Sequence, residues 1–225
     1  MEVKMEETDF GGIFHVFNRG VEKRDIFVDN VDRSRFADSL FLYNDARPVE
    51  NSRVCGQTRL EDKDNRDRMV DILAFVMMPN HFHLIVRPLV ENGLTEFMRK
   101  MGTGYTNYFN IKHERVGPLF QGKFKSVLIE DEEYLTYLPF YIHFNPLDLI
   151  ESNWKEREIS DWERAAHFLL SYRWSSLADY CGQNYYSKTL NKEFLPSFDI
   201  DFSEEDLIRW LKDLDFSDLG HLSFE

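Results

Sequence analysis

Cysteine, long apolar runs and glycine-rich loops are scarce or missing in this 225-residue sequence. Its two cysteines, Cys55 and Cys181, lie far apart without metal-like spacing, so we expect reduced thiols and a cytoplasmic protein. No apolar run approaches the roughly 18 residues that a membrane span needs, and the N-terminus lacks a basic stretch followed by an apolar one. We therefore expect a soluble protein that has no secretion signal, no contact with a membrane and no Gly-rich loop for a nucleotide cofactor.

The charged residues are unevenly distributed along the chain. The net charge of −13 argues against a simple nucleic-acid coat. Residues 97–126 nevertheless carry six basic side chains and one acidic side chain, Glu114. Residues 191–225 carry three basic and ten acidic side chains. The sequence therefore combines a basic middle segment with an acidic tail.

Apolar periodicity predicts an α+β fold. The predicted strands are residues 11–20, 70–78, 82–88 and 122–130, and the predicted helices between them are residues 31–43 and 95–111. The order strand, helix, strand, strand, helix, strand is that of a ferredoxin-like sandwich. We therefore expect an antiparallel sheet with helices on one face, followed by a C-terminal helical appendage.

The second half of the chain contains further helix signals. Asp131 is expected to cap a helix that Pro146 ends near Asn145, and Pro139 should kink this helix or move its start to a later residue. Ser203 is the expected N-cap of an acidic amphipathic helix. We predict a long polar loop at residues 44–68, a main domain at residues 8–150 and a C-terminal extension at residues 151–225.

Two histidines stand at the start of an apolar strand in the segment MMPNHFHLIV, residues 77–86. Residues two apart in a strand share a face and lie about 7 Å apart along the chain. His81 and His83 can therefore converge on one metal ion or one phosphate, while Phe82 points to the other face. The alternative is that one histidine caps the turn and the other is a hydrogen-bonded core residue. The pair alone leaves both interpretations open.

Several ordered blocks resemble the small single-tyrosine HUH transposases, including the REP-associated tyrosine transposases. The blocks are HVFNRG (15–20), FVMMPNHFHLIVRP (75–88), YTNYFNIKHERVGPLFQGKFKSVLI (105–129), YIHFNPL (141–147) and YRWSS (172–176). They span about residues 15–176, and their shared order makes the resemblance more specific than any single block. The resemblance implies that the main domain is the catalytic domain.

The resemblance also implies a set of active-site residues. Tyr141 would be the nucleophile, and His81, His83 and Asn145 would bind Mg²⁺ or Mn²⁺, although imidazole also suits Zn²⁺. On a helix Tyr141 and Asn145 are four residues apart and share a face. The alternatives are that Tyr141 is a packed core residue and that Asn145 only ends the helix. His15, on the first predicted strand, could line the site, but we expect it to be a hydrogen-bonded core histidine.

The implied activity is metal-dependent cleavage and rejoining of single-stranded DNA at hairpin, REP-like sequences through a 5′-phosphotyrosine intermediate. The protein would act as a monomer or a homodimer. The basic segment would contact DNA phosphates, with a merely solvated face as the alternative for each side chain. The candidates are Arg99, Lys100, Lys112, Arg115, Lys123 and Lys125, with Arg19 as a further candidate.

Other functions fit the sequence less completely or share the same residues. A histidine-triad hydrolase needs a third alternating histidine and a two-histidine phosphoesterase needs a hydroxyl residue, but position 85 is Ile. A replication initiator or relaxase would share the histidine pair and the tyrosine. A non-catalytic, sequence-specific DNA-binding protein derived from a transposase would keep the fold alone, and the acidic tail leaves this alternative open.

Overall fold

A computed structural model of the chain describes residues 11–48, 65–195 and 202–214. Several predictions concern residues outside these ranges, namely those for residues 8–10, for most of the polar loop (49–64) with Cys55, and for parts of the tail (196–201 and 215–225). Cys181 is a partly buried thiol. None of the helices in the described ranges combines the length and the apolar character that crossing a bilayer requires.

A four-stranded antiparallel sheet in the order β2-β3-β1-β4 forms the centre of the fold. Its strands are β1 (Ile13–Arg19), β2 (Val70–Met78), β3 (His81–Pro88) and β4 (Lys125–Ile129). Helix α1 (Asn30–Leu42) follows β1, and helix α2 (Gly93–Lys112) follows β3. A two-residue turn at Pro79 and Asn80 joins β2 to β3. The predicted ferredoxin-like α+β class is confirmed.

Helices α1 and α2 pack on one face of the sheet, as predicted. Side chains alternate along a strand, so Phe14 and Val16 of β1 and Phe82 of β3 point to this face. Phe36 of α1 meets Tyr105 of α2 edge to face, with ring centroids 5.0 Å apart. Burying one such aromatic ring stabilises a fold by about 2 kcal/mol. This aromatic cluster therefore holds both helices on the sheet.

The opposite face is covered by α3 (Glu132–Phe144) and by elements further along the chain. These are the 3-10 turn Asn145–Leu149, α4 (Trp162–Ser171), α5 (Leu177–Tyr180) and α6 (Glu204–Asp213). Val76 of β2 and Ile85 of β3 share one buried cluster with Leu138 of α3 and Leu177 of α5. Coverage of both faces explains why β2 is buried along its whole length. The domain boundary near residue 150 remains a prediction.

Residues 172–176 protect the outer edge of β2. The backbone N–H of Met77 donates to the carbonyl oxygen of Trp174 at 2.9 Å, and the N–H of Ser176 donates to that of Phe75 at 3.0 Å. Unpaired edge strands invite association with other chains. The YRWSS segment therefore has a structural function at this edge.

The ends of α3 and α6 lie where the sequence predicted them. The carboxylate of Asp131 accepts from the N–H of Glu133 at 2.8 Å, and α3 ends at Phe144 just before Asn145 and Pro146. Helix α3 begins at Glu132 and continues through Pro139, so the alternative of a later helix start is wrong. Ser203 caps α6 in a capping box with Asp206.

Candidate active site

Strand β3 presents His81 and His83 on the sheet face that α3 covers. Their ring centroids are 5.1 Å apart and their planes are nearly perpendicular. His83 is buried, whereas His81 is partly exposed. Phe82 between them points into the opposite core, where its ring centroid lies 5.0 Å from that of Phe36. The two histidines thus share a face, as their spacing predicts.

Hydrogen bonds define which nitrogen of His81 carries its proton. Its Nδ1 lies 2.6 Å from Oδ1 of Asn80, and Nδ2 of Asn80 donates to the carbonyl oxygen of Lys23 at 3.1 Å. Since Asn80 Oδ1 can only accept, His81 Nδ1 is the donor, and in the neutral imidazole Nε2 then keeps a lone pair. This lone pair lies 3.4 Å from Oδ1 of Asn145. Two acceptors that face one another in this way suit a shared cation.

A second imidazole orients His83. Nδ1 of His83 lies 2.9 Å from Nε2 of His15, and Nδ1 of His15 lies 3.5 Å from the hydroxyl of Tyr134. When His83 Nδ1 donates to His15, Nε2 of His83 keeps its lone pair for a ligand. His15, which we expected to be a core histidine, is buried as predicted but also contacts the histidine pair. The sequence signal for this contact was the position of His15 on the first strand, which pairs with the strand that carries His83.

Burial keeps the inner histidines neutral. It lowers the pKa of His15 to about 3, because the charged imidazolium would lose its hydration. The pKa of His83 lies well below its usual range, first because of burial and then because of neighbouring imidazoles and the charges of Lys155 and Arg19. A neutral imidazole is the form that binds a metal ion.

Helix α3 places Tyr141 against the histidine pair. The Tyr141 and His83 rings meet edge to face with centroids 6.3 Å apart. The N–H of Asn145 donates to the carbonyl oxygen of Tyr141, which puts the two residues one helical turn apart. Tyr141 therefore lies beside His83 while Asn145 lies beside His81. The four residues that the sequence singled out are brought together.

The surroundings of Tyr141 are aromatic and basic. Its ring centroid lies 6.1 Å from that of Trp154, and Nζ of Lys155 lies 5.3 Å from the Tyr141 ring centroid. The Tyr141 side chain is buried, with 5% of its surface exposed. Sequence patterns did not single out Lys155, which follows the predicted domain boundary.

Tyr105, Tyr134 and His143 are buried in other surroundings. Tyr105 donates to the carbonyl oxygen of Ile26 at 2.6 Å within the opposite core. Tyr134 is buried beside His15, and this burial raises its pKa well above the usual range. Nε2 of His143 lies 2.7 Å from Oγ of Ser176. Burial also lowers the pKa of His143 to about 3, which fits a structural residue.

A cavity of about 190 Å³ opens beside the histidine pair. His81 and His83 line it together with Arg19, Lys123 and Lys125, and no acidic side chain is among its lining residues in the described chain. Nζ of Lys125 lies 5.6 Å from the ring centroid of Phe17, another lining residue. The balance of charge favours an anionic ligand. Strand β4 begins at Lys125. The prediction that Lys123 lies within this strand is therefore wrong, because Lys123 lies in the loop before it.

The other basic candidates differ in how far their charge is already engaged. Arg99 forms two hydrogen bonds to the carboxylate of Glu96, and it lines a groove of about 690 Å³ that shares Lys123 with the cavity. Lys100 donates to the backbone carbonyl oxygens of residues 45–47. Lys112 pairs with two aspartates, and the guanidinium of Arg115 lies over the ring of Phe109. Contact of Arg99, Lys100 and Arg115 with DNA remains a prediction, whereas the two ion pairs of Lys112 favour a structural function for that residue.

The donor atoms at the site are compatible with a divalent cation. Within the described ranges no cluster of three or more His, Cys, Asp or Glu side chains could hold a metal ion. The candidate set instead combines His81, His83 and the amide oxygen of Asn145. Imidazoles suit Zn²⁺ and other transition metals, whereas amide oxygen, water and phosphate oxygens suit Mg²⁺ and Mn²⁺. This mixed set leaves coordination positions for a substrate.

Comparison with known proteins adds information on the fold. No protein-family model and no curated protein sequence matches the chain. Among solved structures, the chain is similar to a REP-associated tyrosine transposase bound to a REP hairpin, with a TM-score of 0.53 and 14% sequence identity. The match covers 90% of this chain and 99% of that protein. The two proteins therefore share their fold over nearly their full lengths.

Proposed function

We propose that the protein is a metal-dependent, single-stranded DNA endonuclease and transposase that acts through a 5′-phosphotyrosine. The observation that carries this proposal is the position of Tyr141, in the last turn of α3, and of Asn145, the residue that follows the helix, which face His83 and His81. The cavity beside the histidine pair, with no acidic side chain among its described lining residues, supports an anionic substrate. The ordered sequence blocks and the fold shared with a hairpin-bound transposase add support.

Tyr141 would carry the chemical step. Its hydroxyl oxygen attacks phosphorus and releases its proton to solvent, and a new P–O bond to tyrosine forms. The bond from phosphorus to the 3′ oxygen breaks, and that oxygen takes up a proton and leaves as a 3′-hydroxyl. Attack by a later 3′-hydroxyl on the phosphotyrosine reverses these changes and rejoins DNA without a nucleotide cofactor.

His81, His83 and Asn145 would hold a divalent cation, which supplies Lewis-acid neutralisation and orientation of the phosphate. Asn80 and His15 keep the two imidazoles in the required tautomers through their hydrogen bonds. We propose Mg²⁺ or Mn²⁺ as the cation. The proposed substrate is single-stranded or hairpin DNA of REP-like sequence, bound by a monomer or a homodimer.

The low exposure of Tyr141 favours a second candidate function. With 5% of its surface exposed and the Trp154 ring nearby, Tyr141 offers a phosphate little access unless neighbouring groups move. A non-catalytic DNA-binding protein derived from a transposase would need no such movement. It would retain the basic cavity and the fold.

Labelled hairpin DNA separates the two functions. The protein is incubated with 5′-labelled or 3′-labelled hairpins plus Mg²⁺ or Mn²⁺ and resolved on denaturing gels. We expect label to travel with the protein, to be lost in Tyr141→Phe and His81→Ala, and to persist in Tyr137→Phe, a control on the same helix. Tight hairpin binding without an adduct would contradict the endonuclease and support the binding protein.

A further inference from the structure

The guanidinium of Arg19 has no hydrogen-bond or ion-pair partner among the described residues. Its Nε is buried without an acceptor. Three other arginines in the described ranges also have such a buried Nε, but each has a ring or carboxylate against its guanidinium: Arg33 with Trp174, Arg35 with Tyr108 and Arg87 with Asp71. Leaving a buried donor unsatisfied destabilises a protein, because the group has lost its hydration without gaining an acceptor. A ligand that accepts from Arg19 would remove this penalty.

The backbone around Arg19 is held rigidly. Arg19 pairs with His81 in the β1–β3 register, and its N–H donates to Oδ1 of Asn18 at 2.9 Å. Its carbonyl oxygen accepts from the N–H of Gln121 at 2.8 Å. The next residue is Gly20, where a Cβ would collide with the carbonyl oxygen of Arg24. Arg19 is thus fixed beside the histidine pair before any ligand arrives.

The cavity around Arg19 has the charge of an anion site. Lys123 and Lys125 line it as well, and neither lysine has an ion-pair partner among the described residues. A guanidinium offers a planar fork of donors that matches two oxygens of one phosphate, whereas an ammonium acts as a point charge. The arginine is the more deeply placed of these cations, because both lysines are exposed.

We propose that Arg19 binds the non-bridging oxygens of the DNA phosphodiester that lies against the histidine pair, with Lys123 and Lys125 at the entrance of the same subsite. This inference rests on the proposed function, because it specifies how that site holds its substrate. Arg19 orients the phosphate and offsets its charge. The subsite is specific for the phosphate group and reads no base.

The salt dependence of hairpin binding tests this subsite. The affinity of a protein for single-stranded DNA falls as salt rises, and each lost phosphate contact reduces the magnitude of the slope of log affinity against log salt by about 0.7. We expect this decrease in Arg19→Gln, with a weaker affinity at low salt. Arg19→Lys should keep the slope and lose part of the affinity. Arg164→Gln, an exposed control on α4, should match the unmodified chain, and thermal unfolding verifies that every variant is folded.

Methylphosphonate substitution locates the contact. Neutral methylphosphonates are placed one position at a time along the hairpin oligonucleotide. At one position the substitution should weaken binding to the unmodified chain but not weaken binding to Arg19→Gln any further. An unchanged salt slope in Arg19→Gln, with full sensitivity at every position, would overturn the subsite while leaving the endonuclease intact.

An NMR titration separates failure of the subsite from failure of the proposed function. The Arg19 Nε–H signal is followed as inorganic phosphate is added to the full chain. If the signal shifts specifically but the protein binds no hairpin, the result would support the anion subsite and contradict DNA as its substrate. No shift and no hairpin binding would overturn both proposals.

Discussion

Each proposed imidazole ligand is oriented by a hydrogen bond on the far side of its ring. Asn80 accepts from Nδ1 of His81, and His15 holds Nδ1 of His83. Such outer contacts decide which nitrogen keeps a lone pair and where it points. The histidine pair therefore depends on a turn residue next to it and on a strand residue far away in sequence.

Replacing His15 should weaken metal binding through His83. Loss of an outer hydrogen-bond partner reduces metal affinity by about 10–100-fold. We expect this loss of Mn²⁺ affinity in His15→Leu, which cannot accept a hydrogen bond, and a smaller loss in His15→Gln, which can. Calorimetric titration with Mn²⁺ measures both, and equal affinities in the leucine and glutamine variants would contradict the role of His15.

Buried neutral histidines should make stability depend on pH. His143 has a folded-state pKa of about 3, below its ordinary value of 6.5. Its stabilising contribution is therefore complete above pH 6.5 and decreases as the pH falls towards 3, because only the unfolded chain binds the proton. The decrease is about 1.4 kcal/mol per pH unit well inside this window.

Chemical denaturation at pH 7 and pH 5 measures this effect. We expect His143→Gln to lower stability at pH 7 through the lost contact with Ser176, and to flatten its dependence on pH. His167→Gln, an exposed control on α4, should keep the steeper dependence of the unmodified chain. The same dependence in all three proteins would contradict the assignment of a buried, neutral His143.

At the scale of elements, a partly buried ion cluster holds α1 against the end of α2. Nζ of Lys112 lies 2.7 Å from carboxylate oxygens of Asp29 and Asp32, and the Asp32 side chain is fully buried. His113 also contacts Asp32, at 3.0 Å. Asp29 and Asp32 together cap α1. The cluster thus links a helix start to a helix end.

Lys112→Met should lower the stability of the protein and leave its DNA binding unchanged. Leaving the buried carboxylate of Asp32 without this partner destabilises the protein by about 1–3 kcal/mol, since Lys112 itself is partly exposed and His113 remains. We expect a decrease of this order in the free energy of unfolding, with unchanged hairpin affinity for the folded protein. A tenfold loss of affinity without a change in stability would instead show that Lys112 contacts DNA.

At the scale of the whole molecule, the sheet depends on the C-terminal elements for its second core. Val76 and Ile85 are fully buried in a cluster that includes Leu177, beyond the predicted domain boundary near residue 150. A fragment of residues 1–150 would expose this apolar face. We expect it to lack the cooperative thermal unfolding that the full chain retains. Cooperative unfolding of the shorter fragment would support an independent domain that ends there.

Local patterns in the sequence predicted most of the elements and several of their ends. The β2–β3 hairpin follows from two apolar runs around Pro79 and Asn80, and the start of α6 follows from Ser203. Contacts between distant residues could not be predicted in this way. The hydrogen bond between His15 and His83 joins residues 68 positions apart and depends on the β1–β3 register.

The charged residues of the site also show which features a local sequence pattern predicts and which depend on contacts between distant residues. The sequence singled out a basic segment, but the pairing of Lys112 with Asp29 depends on how α2 packs against α1. Arg19 received little weight because one base after a strand has no distinctive pattern. Its position became informative only when folding placed it beside His81 without a partner among the described residues.

The nucleophile is the central claim, and mass spectrometry of the protein–DNA adduct tests it most directly. The full chain is incubated with hairpin DNA and Mn²⁺, digested with nuclease and protease, and searched for tyrosines that carry a nucleotide phosphate. We predict the modification on Tyr141, and none on Tyr134 or Tyr137. A nucleotide phosphate on another residue would contradict this account of the active site, as would its absence under conditions in which the hairpin is bound.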